Sequence, residues 1–232
     1  MTSSDYRARA REILSGKWLM VVLVSLVAGI LGGLLTGTIG FNVDISEEVM
    51  EKLPQIVKTY LAFAASIGGV LGTVQFVIGG TVQLGYCKYL LKLHDGEHAD
   101  ISDLFSQFGR FVDGFVLSLL TGIYIFLWTL LFFIPGIVAG YKYAMAPFIL
   151  LENPGMKPNE AITASKEMMD GYKGALFCLD LSFIGWSLLN ILTMGVGSLW
   201  LNPYMNTART AFYRNLAPRS GYADQASEIP EL

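Results

Sequence analysis

Long runs of apolar residues, separated by short polar segments, dominate this sequence. The runs are continuous and do not alternate with polar residues, which favours α-helices over the strands of a membrane barrel. A helix needs about 20 apolar residues to cross the hydrocarbon core of a bilayer. We therefore predict an all-α polytopic membrane protein with one integral membrane domain over residues 1–217 and a flexible polar tail over residues 218–232. The six predicted transmembrane helices cover residues 18–39, 60–91, 114–134, 136–151, 174–193 and 196–213.

Three of these runs depart from a simple crossing. The second is too long for one straight span, so it must tilt, project beyond the bilayer or break near Gly79-Gly80. The fourth is short, and the sixth contains several polar residues, among them Asn202 and Arg209. Whether the second run breaks and whether the sixth crosses completely are therefore open questions.

Composition and charge also indicate a membrane protein. The chain is 53% hydrophobic and only 15% charged, whereas soluble domains carry about 25% charged residues. Most of its 16 Lys and Arg residues lie in the N-terminal segment, after the second and fourth runs, and near the C-terminus. Because basic residues accumulate on the cytoplasmic side, both termini are predicted to be cytoplasmic. The first run is longer than a signal-peptide core and lacks a cleavage site after it, so it is predicted to be a retained anchor.

Three polar segments have the pattern of amphipathic helices. In the first, Tyr6, Ala10 and Leu14 share one helical face and Arg7 and Arg11 lie opposite. Similar apolar stripes follow the second run, over residues 101–112, and the fourth run, over residues 158–171. These helices are predicted to lie on the cytoplasmic side. They either cover the ends of the spans or bind a partner or an anionic leaflet.

Small residues recur at four-residue spacing in the first two runs. Such a face lets another helix backbone approach closely. Packing within one chain and homodimerisation are both compatible with the pattern. The predicted helix-packing positions are Ser25, Gly29, Gly33 and Gly37 in the first run and Ala64, Gly68 and Gly72 in the second.

Charged side chains within apolar runs are candidates for a functional site. From the helical rise per residue, Lys142 lies roughly 10 Å below the outer turn and Asp180 roughly 9 Å above the cytoplasmic end of its span. These depths leave the two charges apart, and Arg209 matches Asp180 better. We predict an Asp180–Arg209 pair. Lys142 is then left to carbonyls freed by Pro147, to water or to an anionic headgroup.

These charges allow two interpretations. The first is a structural ion pair. The second is a polar intramembrane cavity formed by Tyr141, Lys142, Tyr143, Asp180, Asn190, Asn202 and Arg209.

No catalytic, cofactor-binding or metal-binding motif is evident. Cys87 and Cys178 lie within or beside apolar runs and form no zinc or disulfide pattern. His94 and His98 have the spacing of metal ligands on a helix, but the intervening Gly96 favours a turn. No phosphate-binding loop or nucleophile elbow occurs. We predict no enzyme activity, no cofactor, no metal and no nucleic-acid partner.

Several short motifs carry a family resemblance over nearly the whole chain. They are Phe-Ile-Pro-Gly at residues 133–136, Ala-Gly-Tyr-Lys-Tyr-Ala-Met-Ala-Pro at 139–147, Glu-Asn-Pro at 152–154, Ser-Lys-Glu-Met at 165–168 and Trp-Leu-Asn-Pro-Tyr at 200–204. With them the chain resembles the domain-of-unknown-function 975 family of bacterial integral membrane proteins. More distantly, the segment after residue 158 is similar to the membrane domain of some glycerophosphodiester phosphodiesterases and to Yip1-like proteins. The resemblance implies a helical fold in the bacterial plasma membrane and supplies no catalytic residue.

The lead hypothesis is a non-enzymatic membrane protein that binds membrane lipids or a membrane protein partner, including a second copy of itself. The alternative is a small transporter or channel that uses a polar cavity around Lys142 and Asp180. A membrane hydrolase would need an acid and base pair that the sequence does not supply.

Overall fold

The computed structural model describes residues 2–32, 54–193 and 195–220, and this part of the chain contains ten α-helices, two short 3₁₀ helices and no β-strand. The predicted all-α class is confirmed for these residues. The 3₁₀ helices are Ile101–Leu104 and Phe108–Arg110. The α-helices are α1 (Ser3–Leu14), α2 (Trp18–Gly32), α3 (Gln55–Asp95), α4 (Phe111–Leu131), α5 (Phe133–Tyr143), α6 (Ala146–Glu152), α7 (Pro158–Met168), α8 (Lys173–Leu181), α9 (Ile184–Leu192) and α10 (Ser198–Ser220).

Helices α2 and α3 pack side by side in antiparallel directions. Gly32 of α2 lies against Gly79 of α3. Closer to the start of α2, the Ser25 hydroxyl lies 2.8 Å from the Tyr86 hydroxyl. The second apolar run forms one continuous helix of 41 residues, so it does not break at the Gly79-Gly80 pair.

Helices α4 and α5 form a tight hairpin through a single residue, Phe132, whose backbone is extended. A Cβ atom at Gly136 would lie 2.1 Å from Oγ1 of Thr129, so a side chain there would prevent this close return. Pro135 lies in the first turn of α5, where its missing N–H costs no intrahelical hydrogen bond. The Pro-Gly pair therefore suits the start of α5.

The chain is interrupted again between α5 and α6, just before Pro147. The buried Ser165 of α7 bridges this break. Its hydroxyl donates to the carbonyl oxygen of Lys142 at 2.8 Å and accepts from the N–H of Met145 at 3.2 Å. Backbone groups released by the interruption are thus satisfied by a side chain from α7.

The apolar face of α1 packs against α10. Tyr6 and Ala10 are buried, and the Tyr6 ring lies 5.3 Å from the ring of Phe212, measured between centroids. The Tyr6 hydroxyl also accepts a 2.7 Å hydrogen bond from Asn215. The predicted N-terminal amphipathic helix therefore forms, and its apolar stripe is used within the chain.

Large apolar side chains cover much of the outer surface. They are most frequent on the second half of α4, at the α4–α5 turn and on α9. An exposed apolar surface of this size is unusual in soluble monomers. Exposed examples include Phe126, Leu127, Leu130, Leu131, Phe132, Ile134, Trp186, Leu188, Leu189 and Leu192.

The prediction of six transmembrane helices is wrong for the described residues. Two helical segments are long and apolar enough to cross a membrane, Ile101–Leu131 and Ile134–Glu152. A third candidate is the pair α1 and α2, which is bent by 104°. The structure therefore supports two or three candidate spans in the described part of the chain.

Length and polarity explain the difference. The predicted span 174–193 is divided at Ser182-Phe183 into α8 and α9, which have nine residues each. Each is roughly 14 Å long, about half of a hydrocarbon core of about 30 Å. Helix α10 is long enough, with 23 residues, but too polar. It also extends into the predicted tail, of which residues 221–232 lie outside the described residues.

For the two N-terminal predicted spans, part of the comparison lies outside the described residues. Helix α2 ends at Gly32, and residues 33–53 are not among those that the structure describes. The side chains of residues 56–71 in α3 are also outside the described set.

Candidate functional site: a pocket of arginine and tryptophan residues

Asp180 and Arg209 form the predicted ion pair. Two nitrogens of the Arg209 guanidinium donate to the two Asp180 carboxylate oxygens, at 3.0 and 2.7 Å. The Asp180 side chain is 13% exposed and the Arg209 side chain 40%. Tyr141 of α5 lies beside the same carboxylate. This two-pronged geometry joins α8 to α10.

Arg209 and Asn202 also line a small cavity between α2, α3 and α10, with a volume of about 140 Å³. The other lining residues are Ser25, Gly29, Tyr86, Met205 and Asn206. Two members of the predicted polar site are therefore brought together here, beside the Asp180 carboxylate that Arg209 holds.

The predicted small-residue faces are only partly within the described residues. Ser25 and Gly29 face the cavity inside the chain, next to Tyr86 of α3. At Gly72, an added Cβ atom would meet no other atom within 4 Å. Gly33 and Gly37 lie outside the described residues, as do the side-chain surroundings of Ala64 and Gly68.

Lys142 lies apart from Asp180. Its ammonium nitrogen is 5.5 Å from the centroid of the Trp128 ring, a cation–π arrangement. It also interacts electrostatically with Asp170, between α7 and α8, whose pKa is lowered mainly by a 2.8 Å hydrogen bond from Lys173.

The two tyrosines that flank Lys142 pack in different places. Tyr141 contacts Phe177, with ring centroids 5.9 Å apart, and the buried Tyr143 contacts Tyr124 at 6.0 Å. The predicted site residues thus occupy separate environments and do not line one common cavity.

Asn190, the last member of the predicted site, lines a larger pocket between α1, the start of α2, α9 and α10. The volume of this pocket is about 600 Å³, within the usual range for small-molecule sites. Two arginines and three tryptophans contribute to its walls. The complete lining is Arg7, Arg11, Trp18, Trp186, Leu189, Asn190, Thr193, Gly197, Trp200, Leu201 and Tyr204.

Hydrogen bonds fix the position of Arg7 in this pocket. Its guanidinium Nη1 donates to the carbonyl oxygen of Ser182 at 3.2 Å, just where α8 ends. Its backbone carbonyl accepts from the Tyr204 hydroxyl, also at 3.2 Å. The ring of Tyr204 lies between Trp18 and Phe183, with centroids 6.3 and 5.1 Å away. Arg7 is therefore held by α10 and by the α8–α9 junction.

Two polar atoms of the pocket residues are buried without a hydrogen-bond partner. They are Nε of Arg7 and Oδ1 of Asn190. Buried polar atoms almost always have a partner, and an unpaired one costs free energy. One of these atoms is a donor and the other an acceptor, so a change of rotamer that turned both toward the pocket would let the pair bind a ligand that offers both functions.

Comparison with known families gives a clear result. The model of the family described as "Protein of unknown function (DUF975)" matches residues 1–139 and 130–220. The chain belongs to the DUF975 family. No curated protein and no solved structure matches it.

A second polar cluster in this DUF975 protein was not foreseen from the sequence. Arg214 of α10 pairs with Asp95 at the end of α3 and with Glu152 at the end of α6. The Tyr213 hydroxyl donates to the same Glu152. Asp95, Glu152 and Arg214 each follow a predicted span, and this position is the only sequence signal that they meet. The cluster joins the ends of α3 and α6 to the C-terminal part of α10.

The pocket itself was also missed. The sequence pattern predicts Arg7 and Arg11 on the polar face of a surface helix, opposite its apolar stripe, and Asn190 in one cavity with Lys142. The signal available was the high density of tryptophan near both segments, at Trp18, Trp186 and Trp200. No group of three or more His, Cys, Asp and Glu side chains suited to a metal occurs in the described part of this DUF975 protein.

Proposed function

We propose that this protein is a non-enzymatic protein of the bacterial plasma membrane that binds lipid, with both termini in the cytoplasm. The observation that carries the proposal is the pocket in which Arg7 and Arg11 adjoin a wall containing Trp18, Trp186 and Trp200. A lipid has a polar headgroup and apolar chains, and this pocket has surfaces for both. Tryptophan and arginine are also typical of the boundary between water and the bilayer.

The exposed apolar surface supports a location in the membrane. Side chains at the end of α4 and along α9 would be costly to leave in water, at about 25 cal/mol for each Å² of apolar surface. The pocket opens beside α9, whose Trp186 and Leu189 are both exposed. Acyl chains in the pocket would therefore be continuous with the surrounding lipid.

Rebinding of lipid to delipidated protein tests the proposal. Native mass spectrometry of protein purified in mild detergent should show a lipid that is retained in stoichiometric amount and that rebinds after removal. Trp200→Ala should reduce rebinding, because Trp200 lines the pocket. Trp128→Ala is the matched control, since Trp128 is also exposed but does not line the pocket. Delipidated protein that takes up no lipid would contradict the proposal.

The alternative function, a small transporter or channel, would use the cavity that Asn202 and Arg209 line. This cavity is small, at about 140 Å³, and Lys142 lies beside Trp128 instead. Flux into proteoliposomes, with Lys142→Ala and Asp180→Asn as variants, tests it. Equal leak through the wild-type protein and both variants would contradict this alternative. A membrane protein partner or a homodimer remains a prediction, which cross-linking in membranes would test.

A further inference from the structure

Two atoms without a hydrogen-bond partner, one on Arg7 and one on Asn190, restrict which lipid headgroup the pocket between α1, α9 and α10 can bind. This inference rests on the proposed lipid binding and asks which headgroup the pocket selects. Nε of Arg7 is a hydrogen-bond donor, and Oδ1 of Asn190 is an acceptor. A complementary headgroup must place an acceptor at Arg7 and a donor at Asn190.

The charge of the pocket indicates that the acceptor is anionic. Arg7 and Arg11 are both positively charged, and none of the described residues that line the pocket is acidic. Arg7 already uses Nη1 on the Ser182 carbonyl. Its Nε is buried without a partner, so it meets a ligand only after the side chain reorients. It then acts together with Arg11, which lines the same pocket. Guanidinium groups bind phosphate well because several N–H groups match the phosphate oxygens.

Asn190 distinguishes among anionic phospholipids. Its free oxygen needs a hydroxyl or an ammonium group on the ligand. An ammonium group would bring a third positive charge close to Arg7 and Arg11, which is unfavourable at short range. A neutral hydroxyl satisfies Asn190 without that cost. A headgroup that carries both a phosphate and a hydroxyl therefore fits the pocket best.

We infer that the pocket between α1, α9 and α10 binds an anionic phospholipid with a hydroxylated headgroup. The phosphate lies at Arg7 and Arg11, and a headgroup hydroxyl donates to Oδ1 of Asn190 after that side chain turns toward the pocket. The acyl chains leave along Trp186, Leu189 and Trp200, toward the exposed face of α9.

Binding of three short-chain lipids to the delipidated full-length protein tests this inference. Phosphatidylglycerol has a singly charged phosphodiester and hydroxyls, phosphatidylmethanol has the same phosphodiester charge without a hydroxyl, and phosphatidylethanolamine offers an ammonium donor in place of the hydroxyl. The affinity should decrease in that order. We expect phosphatidylglycerol to bind roughly tenfold more tightly than phosphatidylmethanol, the value of one well-formed hydrogen bond.

Two variants assign the effects to residues. Arg11→Gln should weaken binding of both anionic lipids roughly tenfold. Arg11 is exposed, so its replacement should leave the fold intact. Asn190→Leu should weaken phosphatidylglycerol binding to the level of phosphatidylmethanol and leave phosphatidylmethanol binding unchanged. Arg9→Gln is the matched control on the same helix, since Arg9 pairs with Glu12 at 2.8 Å and does not line the pocket.

The outcomes separate this inference from the proposed function. If the three lipids bind equally well and Arg11→Gln changes nothing, the headgroup assignment is overturned while lipid binding stands. If no lipid rebinds to the wild-type protein, both are overturned. The same loss in Arg9→Gln as in Arg11→Gln would show that net charge alone acts, which also overturns the assigned site. Unaltered thermal unfolding of each variant shows that the comparison concerns folded protein.

Discussion

Asp180 is the clearest case of a residue whose neighbour determines its role. It lies in an apolar segment, with its carboxylate mostly buried, and both of its oxygens accept from Arg209. A buried charge that loses its partner is strongly unfavourable, whereas the intact pair itself contributes little. The pair is therefore best understood as a constraint that keeps α8 against α10.

We predict that Asp180→Ala lowers the free energy of unfolding by about 1–3 kcal/mol, because Arg209 loses a charged hydrogen-bond partner. Thermal unfolding in detergent measures the change. Asp170→Ala is the control: its side chain is 81% exposed in the ion pair with Lys173, and such surface pairs contribute little. An equal effect of both variants would contradict the argument, and the double variant Asp180→Leu with Arg209→Met should recover most of the loss.

The sequence predicts some contacts of individual side chains and not others. The depths of Asp180 and Arg209 along their helices were enough to predict their pair. The position of Arg7 was not predictable, because it depends on α1 folding back onto α10 and on Ser182 ending α8. Helical periodicity shows which side of α1 is apolar. It does not show that Arg7 also reaches a pocket between other helices.

Among the helices, α3 is organised by the close approach of its neighbours. A Cβ atom at Gly80 would lie 2.2 Å from the carbonyl oxygen of Gly114 in α4. At Gly72, about two helical turns earlier in α3, a Cβ atom would meet no other atom within 4 Å. The spacing of small residues predicts Gly72 as a helix-packing position, whereas Gly80 is predicted only as part of a possible break in the helix. Spacing of small residues shows that contact is possible and does not identify the partner.

We predict that Gly80→Ala destabilises the protein by about 1–3 kcal/mol, since α3 and α4 must move apart to fit the methyl group. Gly72→Ala should be neutral, or stabilising by up to about 1 kcal/mol, because alanine favours the helix. Thermal unfolding of both variants in the same detergent measures the difference. If the two alanines have the same effect, the α3–α4 contact is not as close as described.

The helix breaks explain why hydropathy predicts the fold class but not the number of spans. Apolar content over residues 174–193 is compatible with one long helix. The chain turns instead at Ser182, whose hydroxyl donates to the Leu179 carbonyl at 2.6 Å and whose own carbonyl accepts from Arg7. One partner, Leu179, lies within residues 174–193, and the other, Arg7, lies far from them in the sequence. An average of hydropathy over the segment takes no account of such contacts.

In the whole molecule, several helix ends meet in one region. Tyr6 of α1 is bonded to Asn215, and the adjacent Arg214 pairs with Asp95 and Glu152. The N-terminal helix, the ends of α3 and α6 and the C-terminal part of α10 are thus held together. Both termini of the described chain therefore lie toward the same end of the molecule. In a membrane, this arrangement requires α1 and the segment after α3 to be on the same side.

Accessibility of single cysteines to a membrane-impermeant maleimide tests this arrangement together with the predicted orientation. In a background of Cys87→Ala and Cys178→Ser, we expect Ser4→Cys and His98→Cys, at exposed positions, to react in inverted vesicles only. With a cytoplasmic N-terminus, the segment between the predicted spans 18–39 and 60–91 lies outside, so Glu47→Cys should react in right-side-out vesicles only. Opposite labelling of Ser4→Cys and His98→Cys would contradict the packing of the helix ends. If both react in right-side-out vesicles only, the result agrees with that packing but contradicts the predicted orientation. The contacts between helix ends are unchanged when the whole protein is inverted in the membrane.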